Sequence, residues 1–256
     1  MRHQLHREYI SMNSKNILDI SDIDAPLYRV YSKRRFLELV STGKNPLVKP
    51  RLWDDPFENF FLNSEISDPS GDNISIEGLA EDWHGQCWTL NEDTDAMWRI
   101  YSHDKDGIKV RTTIRKLFDS FYDDTETFAS LKFLIGKVQY RKEAEIAAFM
   151  GSTSFSDIAF GGQAIGFARL LCVKREAFEH EREVRLLFQD TNPKRSDGKA
   201  VLFDFDVNAI CDEVMVDPRL DDAQVSALTA EIQAAGCTLP VLQSPLYRVP
   251  KFTLRL

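Results

Sequence analysis

The sequence predicts an α+β fold built around a central, mostly antiparallel sheet with flanking helices. Short segments that alternate apolar and polar residues recur along the chain, which is typical of strands. Helical patterns lie between them without the strict alternation expected of a parallel α/β protein. The 256 residues are 43% hydrophobic, enough for one large core. We therefore expect one domain over residues 25–256, preceded by a polar tail or arm at residues 1–24.

The charge balance and the cysteine spacing limit the classes of function. The chain carries 32 basic and 40 acidic residues, a net charge of −8. This argues against a general nucleic-acid or membrane-surface binder, because both need a basic field. No apolar leader and no membrane-length apolar run is visible, so we expect a cytoplasmic protein without a membrane partner. The cysteines lack zinc-site spacing and are expected to be small core residues: Cys87, Cys172, Cys211 and Cys237.

Capping residues set the expected boundaries of the helices. The first strand is expected at Pro26–Tyr31, and Ser32 then caps a helix that ends at Gly43. Pro46 and Pro50 mark a loop. Further helices are expected near residues 57–66 and 75–82, over residues 95–102 after the cap Thr94, within residues 154–179, and from the cap Asp221 to Gly236.

The remaining strands follow from alternation and from β-branched and aromatic content. The last of them are expected to close the chain as short strands. They are predicted at residues 84–90, 107–113, 133–140, 183–189, 199–205, 213–216, 238–242 and 252–256.

The clearest candidate for chemistry is a run of alternating charges at Glu181, Glu183 and Arg185. If the segment is extended, all three side chains point to the same side. Two like charges on one face repel, so folds seldom keep them without a use or a compensating cation. Two interpretations stay open: a charged strand end clamped by Arg185, or a catalytic carboxylate pair.

Arg29 lies in the first predicted strand, between Tyr28 and Tyr31. An arginine among apolar neighbours in a strand is either an edge residue or a ligand for an anion. Its rigid fork of donors suits a phosphate or a carboxylate.

Three carboxylates lie close together at Asp54, Asp55 and Glu58. Asp55 stands before Pro56 and is expected to cap a helix, with Glu58 reaching back to the cap. Aspartate and glutamate are also suitable ligands for Mg²⁺. We favour the capping role and expect no metal, with a metal site kept as the alternative.

Aromatic side chains gather in two further motifs. Trp88 and Thr89 alternate on a predicted strand, while Trp98 and Tyr101 lie three residues apart on a predicted helix that Ser102 follows. Core packing explains such aromatic residues well. The alternative is a stacking surface for a planar ring, with Thr89 or Ser102 bonding a sugar.

Taken in order, these motifs resemble a known bacterial family, the domain of unknown function 2971. The resemblance extends over residues 27–256, and two positions depart from its pattern: Asp54 replaces an asparagine and Phe178 a tryptophan. The motifs are Leu27-Tyr28-Arg29, Asp54-Asp55-Pro56-Phe57-Glu58, Cys87-Trp88-Thr89, Met97-Trp98-Arg99-Ile100-Tyr101-Ser102 and Phe178-Glu179-His180-Glu181-Arg182-Glu183-Val184-Arg185.

The order of these motifs along the chain is also similar to the order of functional residues in ADP-ribosyltransferases. A basic residue in the first strand, a Ser/Thr in a middle strand and a late E-x-E strand surround NAD in those enzymes. The resemblance implies that Arg29 and Thr89 bind NAD, that Glu183 is the catalytic glutamate and that Glu181 serves the acceptor. It also implies aromatic contacts to NAD from Trp88, Trp98 and Tyr101, with Ser102 beside them.

The leading hypothesis is an NAD-dependent ADP-ribosyltransferase-like enzyme, a bacterial toxin or phage-defence effector. Its acceptor would be a protein or a nucleic acid, and an antitoxin or regulatory protein would be a possible partner. Two alternatives stay open: a non-catalytic binding or regulatory protein of the same fold, and a metal-dependent nuclease that uses Asp54, Asp55, Glu58 and the Glu181/Glu183 pair.

Overall fold

A large mixed sheet forms the centre of the fold in a computed structural model that describes residues 14–53, 55, 66–67, 73–74, 81–152, 164–190, 192, 195 and 198–253. The strands are β1 (Ile17–Leu18), β2 (Pro26–Tyr31), β3 (Lys44–Val48), β4 (Ile66–Ser67), β5 (Asn73–Ile74), β6 (Trp83–Thr89), β7 (Ile108–Thr113), β8 (Phe133–Lys137), β9 (Gln139–Arg141), β10 (Val173–Arg175), β11 (Glu183–Gln189), β12 (Ala200–Asp204), β13 (Glu213–Val216) and β14 (Val241–Gln243).

The helices that accompany the sheet begin at recognisable caps. The Thr94 side chain accepts from the backbone N–H of Met97, and Asp221 forms a reciprocal capping box with Gln224. Gly43 ends the first helix in the left-handed conformation, with φ 62°. The helices are α1 (Lys33–Thr42), α2 (Asp95–Tyr101), α3 (Ile114–Phe121), α4 (Ala129–Lys132), α5 (Glu143–Ser152), α6 (Ala164–Leu170), α7 (Val207–Ile210) and α8 (Asp222–Ala234).

The strand order of the large sheet is β1-β8-β11-β6-β2-β7-β13-β14, and β3 joins β6 to β12. Strands β1 and β13 pair in parallel with β8 and β14, and the other pairings in this sheet are antiparallel. The α+β class with a central sheet is confirmed, and the sheet itself is mixed. Strands β9 and β10 form a separate two-stranded parallel sheet, and β4 pairs with β5.

The two faces of the central strands bury different clusters. Val184, Leu186 and Phe188 of β11 point into the main core, which also takes side chains from the helices α1, α3, α4, α7 and α8. Leu187 points to the opposite face and packs in a smaller cluster with Trp83. Side chains alternate along a strand, so β11 contributes to both layers. The charged residues Glu183 and Arg185 share the face of Leu187.

Most of the predicted boundaries agree with the structure to within two residues, but one loop is wrong. The segment around Pro46 is not a loop, because it forms β3 and Pro46 lies opposite Leu202 of β12. At that position β3 has a paired strand on one side only, because its backbone pairs with β6 at Val48 and not at Pro46. Proline is tolerated there because a strand edge does not need its missing N–H.

Two other predicted segments differ from the structure. Residues 173–175 form a strand inside the segment 154–179 that was expected to be helical, because their pairing with β9 overrides the helical pattern. The expected closing strand at 252–256 is absent over residues 251–253, which have no regular structure. The expected helices at 57–66 and 75–82 lie mostly outside the described residues.

Within the described chain, no helix is long and apolar enough to cross a membrane.

Candidate active site

A row of side chains crosses the middle strands at one end of the sheet. Glu183, the first residue of β11, lies opposite Thr89 of β6, and Thr89 lies opposite Tyr28 of β2. Directly opposed residues of antiparallel strands point to the same face. Glu183, Thr89 and Tyr28 therefore share one face, while Val184 and Trp88 point into the main core on the other.

Four charged side chains, Lys174, Glu181, Glu183 and Arg185, meet on this face and are called here the carboxylate cluster. Lys174 Nζ donates to Glu181 Oε2 at 2.5 Å and to Glu183 Oε1 at 2.6 Å. Arg185 Nε donates to Glu183 Oε2 at 2.8 Å, and Arg185 Nη1 donates to the Leu171 carbonyl at 2.6 Å. No member of the cluster exposes more than 6% of its surface. The two glutamates predicted as a pair are thus brought together.

The backbone between the two glutamates is kinked. Glu181 ends a 3₁₀ turn over Glu176–Glu181, and Arg182 adopts the left-handed conformation with φ 45°. The Arg182 carbonyl accepts from the Leu90 N–H at 3.0 Å, which ties this turn to the end of β6. A non-glycine residue pays a conformational cost in this region, so the surrounding contacts must hold it there.

Thr89 holds the same turn through its hydroxyl group. Thr89 Oγ1 donates to the Glu181 carbonyl at 2.6 Å and accepts from the Asn91 N–H at 3.0 Å. Asn91 Nδ2 donates to the His180 carbonyl at 2.6 Å. Thr89 is therefore next to both glutamates, and its hydroxyl positions the backbone of one of them.

Two tyrosines reach the carboxylate cluster from different elements. The Tyr140 hydroxyl accepts from the Glu183 N–H at 2.8 Å, and Tyr140 lies opposite Lys174 in the small β9/β10 sheet. The Tyr101 hydroxyl, at the end of α2, donates to Glu181 Oε1 at 3.4 Å. Tyr101 is 43% exposed, so its ring borders both the solvent and the buried carboxylates.

Aromatic rings cover the two cations of the cluster. Lys174 Nζ lies 4.7 Å from the centre of the Phe178 ring, and Arg185 Cζ lies 4.4 Å from the centre of the Trp53 ring. The negative face of an aromatic ring attracts a cation, so these rings stabilise the two charged groups where water is excluded. Gly85 leaves room for Trp53, because a Cβ at Gly85 would lie 2.7 Å from a carbon of that ring.

The two carboxyl groups have opposite pKa shifts. Burial and the hydrogen bond to Glu183 raise the pKa of Glu181 to about 7, against the opposing effect of Lys174. Burial alone would raise the pKa of Glu183 too, but the charge of Arg185, the hydrogen bond to Glu181 and the charge of Lys174 hold it well below its usual range. Near neutral pH the pair therefore contains one carboxylate that is ionised and one that exchanges a proton.

Arg29 lies on a neighbouring strand, outside the carboxylate cluster. Its side chain leaves β2 on the face of Leu27 and Tyr31, since residues alternate along the strand. Arg29 Nη1 donates to the Cys87 carbonyl, and the guanidinium carbon lies 5.1 Å from the centre of the Tyr31 ring. Arg29 Nε is buried and has no hydrogen-bond partner among the described residues.

The two tryptophans and Ser102 are packed into the fold. Trp88 is 2% and Trp98 1% exposed. Trp88 Nε1 donates to Gln86 Oε1 at 2.8 Å, and Trp98 Nε1 donates to Asp93 Oδ1 at 2.6 Å. The Ser102 hydroxyl donates to Asp217 Oδ2 at 2.5 Å. Of the predicted aromatic contacts, only Tyr101 both exposes its ring and touches the carboxylate cluster.

The acidic block that suggested a metal alternative is described at Asp55 only. Asp55 is buried, and its Oδ1 accepts from Arg175 Nη2 at 2.9 Å. Asp54, Pro56 and Glu58 lie outside the described residues, so their predicted capping role stays a prediction. Within the described ranges, no three His, Cys, Asp or Glu side chains gather in a way that could hold a metal ion.

Lys174 and Tyr140 are the site residues that sequence reasoning missed. Neither belongs to a motif with a regular spacing to Glu183, because the β9/β10 pairing brings them there from separate segments. The available signal was the position of Lys174, directly after the apolar run Leu170-Leu171-Cys172-Val173. A lysine next to such a run favours a buried ion pair, since lysine is rarely buried unpaired.

Comparison with known proteins supports the family resemblance over part of the chain. The family model described as "Protein of unknown function (DUF2971)" matches residues 97–186. This segment runs from α2 into β11 and contains the whole carboxylate cluster. The resemblance predicted from the sequence is confirmed over that range. No curated protein matches the chain at a significant level.

Solved structures of DarT from Thermus sp. 2.9 are distantly similar to the chain. The complex with ADP-ribosylated ssDNA is 10% identical, covers 86% of this chain and 94% of that chain, and has a TM-score of 0.39. The complex with NAD+ is 11% identical, with a match that covers 88% of this chain and 98% of that chain, and it has a TM-score of 0.39. The complex with carba-NAD+ is 11% identical, with a match that covers 87% of this chain and 96% of that chain, and it has a TM-score of 0.37. These TM-scores are too low to support a conclusion about function.

Proposed function

We propose that the chain is an NAD-dependent ADP-ribosyltransferase with an ADP-ribosyltransferase-like fold. The observation that carries the proposal is the pair Glu181 and Glu183, buried side by side at the start of β11 and next to Thr89. Buried carboxylates that differ in protonation are typical of sites that divide acid–base and charge-stabilising roles. The order of the sequence motifs, with the E-x-E pair in a late strand, supports the same reaction class.

Glu183 is the proposed catalytic glutamate. Cleavage of the bond between nicotinamide and ribose sends the bonding electrons to nicotinamide and leaves positive charge on the ribose, as in glycoside hydrolysis. An ionised carboxylate held in a water-poor site stabilises that charge. Arg185 Nε and the Tyr140 hydroxyl fix the Glu183 side chain and backbone, so the carboxylate need not reorient during the reaction.

Glu181 is the proposed base for the acceptor. The acceptor nucleophile forms a bond to the ribose carbon and loses one proton, so that NAD and acceptor yield ADP-ribosylated acceptor, nicotinamide and a proton. A base works best when its pKa lies near the working pH. Burial raises the pKa of Glu181 to about 7, which suits this step. The Tyr101 hydroxyl orients Glu181 Oε1 toward the side where the Tyr101 ring is exposed.

Contacts to NAD are proposed for a smaller set than the sequence suggested. The exposed ring of Tyr101 is the proposed stacking partner for a planar group of NAD. Arg29 points to the other face of the sheet, with Leu27 and Tyr31, so it is assigned no contact to NAD at the carboxylate cluster. Four other predicted contacts are assigned a structural role, because their polar groups already form hydrogen bonds within the protein: Trp88, Trp98, Thr89 and Ser102.

The direct test compares Glu183→Gln with Glu179→Gln, a matched change at an exposed glutamate of the 3₁₀ turn that precedes β11. Each protein is incubated with NAD and either cell lysate or single-stranded DNA, and nicotinamide release and label transfer are measured. Loss of the charge-stabilising carboxylate is expected to lower the rate by roughly 10²–10³-fold, by analogy with loss of an oxyanion-hole donor. Glu179→Gln is expected to retain the wild-type rate.

Folded Glu183→Gln protein with undiminished nicotinamide release would remove Glu183 from the reaction. Circular dichroism on both variants shows that a lost rate is not lost folding. Measuring release separately from transfer also distinguishes NAD hydrolysis from modification of an acceptor. A toxin or defence role, with an antitoxin or regulatory partner, stays a proposal.

A non-catalytic binding protein of the same fold is the second candidate. Two cations, Lys174 and Arg185, neutralise the two carboxylates, and such a balanced cluster also suits a purely structural role. Wild-type protein that neither binds NAD in calorimetry nor releases nicotinamide would favour this second function.

A further inference from the structure

Lys174 occupies a position that no sequence motif accounts for. Its ammonium group lies between the two carboxylates and donates to Glu181 Oε2 at 2.5 Å and to Glu183 Oε1 at 2.6 Å. Arg185, by contrast, donates to Glu183 and not to Glu181 in the contacts described. Lys174 is therefore the cation that links the two glutamates to each other.

The small β9/β10 sheet explains how Lys174 is held there. Lys174 lies opposite Tyr140 in this parallel pairing, and both side chains reach Glu183. Lys174 contacts the Glu183 carboxylate, while the Tyr140 hydroxyl accepts from the Glu183 N–H at 2.8 Å. A two-stranded sheet with this register thus supports the first residue of β11 from two directions.

Several contacts fix the Lys174 ammonium group and keep water from it. The Phe178 ring centre lies 4.7 Å from Lys174 Nζ, and the same ring lies 5.3 Å from the guanidinium carbon of Arg175. The Lys174 side chain is 7% exposed. In such surroundings a cation acts strongly on its neighbours, because solvent screens it weakly.

We propose that Lys174 is the positioning residue of the carboxylate pair, and that its bridging ammonium group favours the ionised form of both glutamates, while Arg185 favours it at Glu183 alone. Lys174 keeps the two carboxylates at a fixed separation, so that Glu183 faces the ribose as an anion while Glu181 exchanges a proton with the acceptor. The catalytic part of this role rests on the proposed transferase function. The part that concerns the protonation of the pair stands on the described contacts alone.

The experiment compares Lys174→Met with Lys137→Met, which makes the same change at an exposed lysine that ends β8. Side-chain carboxyl resonances of ¹³C-glutamate-labelled protein are followed from pH 4 to 9. With the bridging cation removed, the titration midpoint of Glu181 is expected to rise by about one pH unit or more, since a nearby opposite charge favours the ionised form by about that much. Lys137→Met is expected to leave the midpoint unchanged.

A folded Lys174→Met protein whose Glu181 titrates as in the wild type would overturn the proposal. The same holds if Lys137→Met moves the midpoint equally. If wild-type protein releases nicotinamide, its pH–rate profile should move with the Glu181 midpoint in Lys174→Met. If wild-type protein releases none, the proposed function fails, while the carboxyl titration still decides the role of Lys174.

A double variant covers the case in which Lys174→Met does not fold. Lys174→Met combined with Glu181→Gln removes one charge of each sign and leaves Glu183 paired with Arg185. Restored folding of the double variant is expected if Lys174 serves the pair, because no unbalanced buried charge then remains. Continued failure to fold would contradict a role of Lys174 directed at the pair.

Discussion

The two faces of β11 are stabilised in opposite ways. On one face Phe188 packs among aromatic rings, with ring centres 4.9 Å from Phe133 and 5.1 Å from Phe203. On the other face Glu183 and Arg185 are equally buried but are held by charge and hydrogen bonds. The strand is thus apolar and charged at alternate residues, with both sets removed from water.

The difference shows what each face contributes. Burial of apolar surface stabilises the fold in proportion to its area and tolerates small shifts of position. A buried charge pair adds little net stability, because desolvation offsets most of the attraction, but it requires a fixed geometry. We therefore assign stability to the aromatic face and orientation of functional groups to the charged face.

Phe188→Ala should have the largest effect on stability. Phe188 is fully buried and touches three other rings of the aromatic face. Truncation leaves a cavity, so we expect the free energy of unfolding to fall by about 3–5 kcal/mol. Urea denaturation followed by circular dichroism measures this change, and the carboxylate cluster should keep its titration in the protein that remains folded.

Phe252→Ala is the matched control, because Phe252 is 83% exposed. Its removal should change the free energy of unfolding by less than about 0.5 kcal/mol. A loss at Phe188 no larger than that at Phe252 would show that the aromatic face does not stabilise the fold as proposed.

The buried glutamates of the charged face should make the free energy of unfolding depend on pH. Glu181 has a pKa raised from 4.5 to about 7 in the folded state, so the folded protein binds the proton more tightly than the unfolded chain. Stability contributed by this proton is complete below pH 4.5 and is lost as the pH rises through 7. We expect a loss on the order of 3 kcal/mol from this group over that window.

Glu183 acts in the other direction. Its pKa is lowered in the folded state, so its contribution is present above the unfolded pKa and is lost only in strong acid. Glu181→Gln should therefore remove the loss of stability between pH 5 and 7, while Glu179→Gln should keep it. Denaturation midpoints of both variants are measured across this pH range. If the midpoint of Glu181→Gln falls with pH as steeply as that of the wild type, the assignment of the pH dependence to Glu181 is wrong.

The sequence predicted the two glutamates better than it predicted their surroundings. Local signals, such as the Thr94 and Asp221 caps and the alternation in β11, depend on residues close in the chain, and the structure agrees with them. The pairing of Glu181 with Glu183 was predicted from an extended segment. In the structure Glu181 ends a 3₁₀ turn and Arg182 is left-handed, so the two carboxylates meet across a kink and through Lys174.

The contacts that come from distant segments were not visible in the sequence. Lys174 was assigned to a helical pattern, whereas the pairing of β10 with β9 turns it toward the glutamates. Trp88 and Trp98 lie in motifs beside the pair, but alternation and helix position point them into the core. Such choices depend on which face of the sheet is covered, which a local pattern does not contain.

The smallest of the expected effects tests the link between Trp53 and the charged face. A Cβ at Gly85 would lie 2.7 Å from a Trp53 ring carbon and 3.1 Å from Leu187 Cδ2, so Gly85→Ala must displace the ring that covers Arg185. We expect the free energy of unfolding to fall by roughly 1–2 kcal/mol. Gly151→Ala is the matched change in α5, where an added Cβ meets nothing within 4 Å; it should raise stability by about 0.5–1 kcal/mol, because alanine favours a helix. Urea denaturation of both variants measures the opposite signs, and a gain in both would show that the ring moves aside freely and does not hold Arg185.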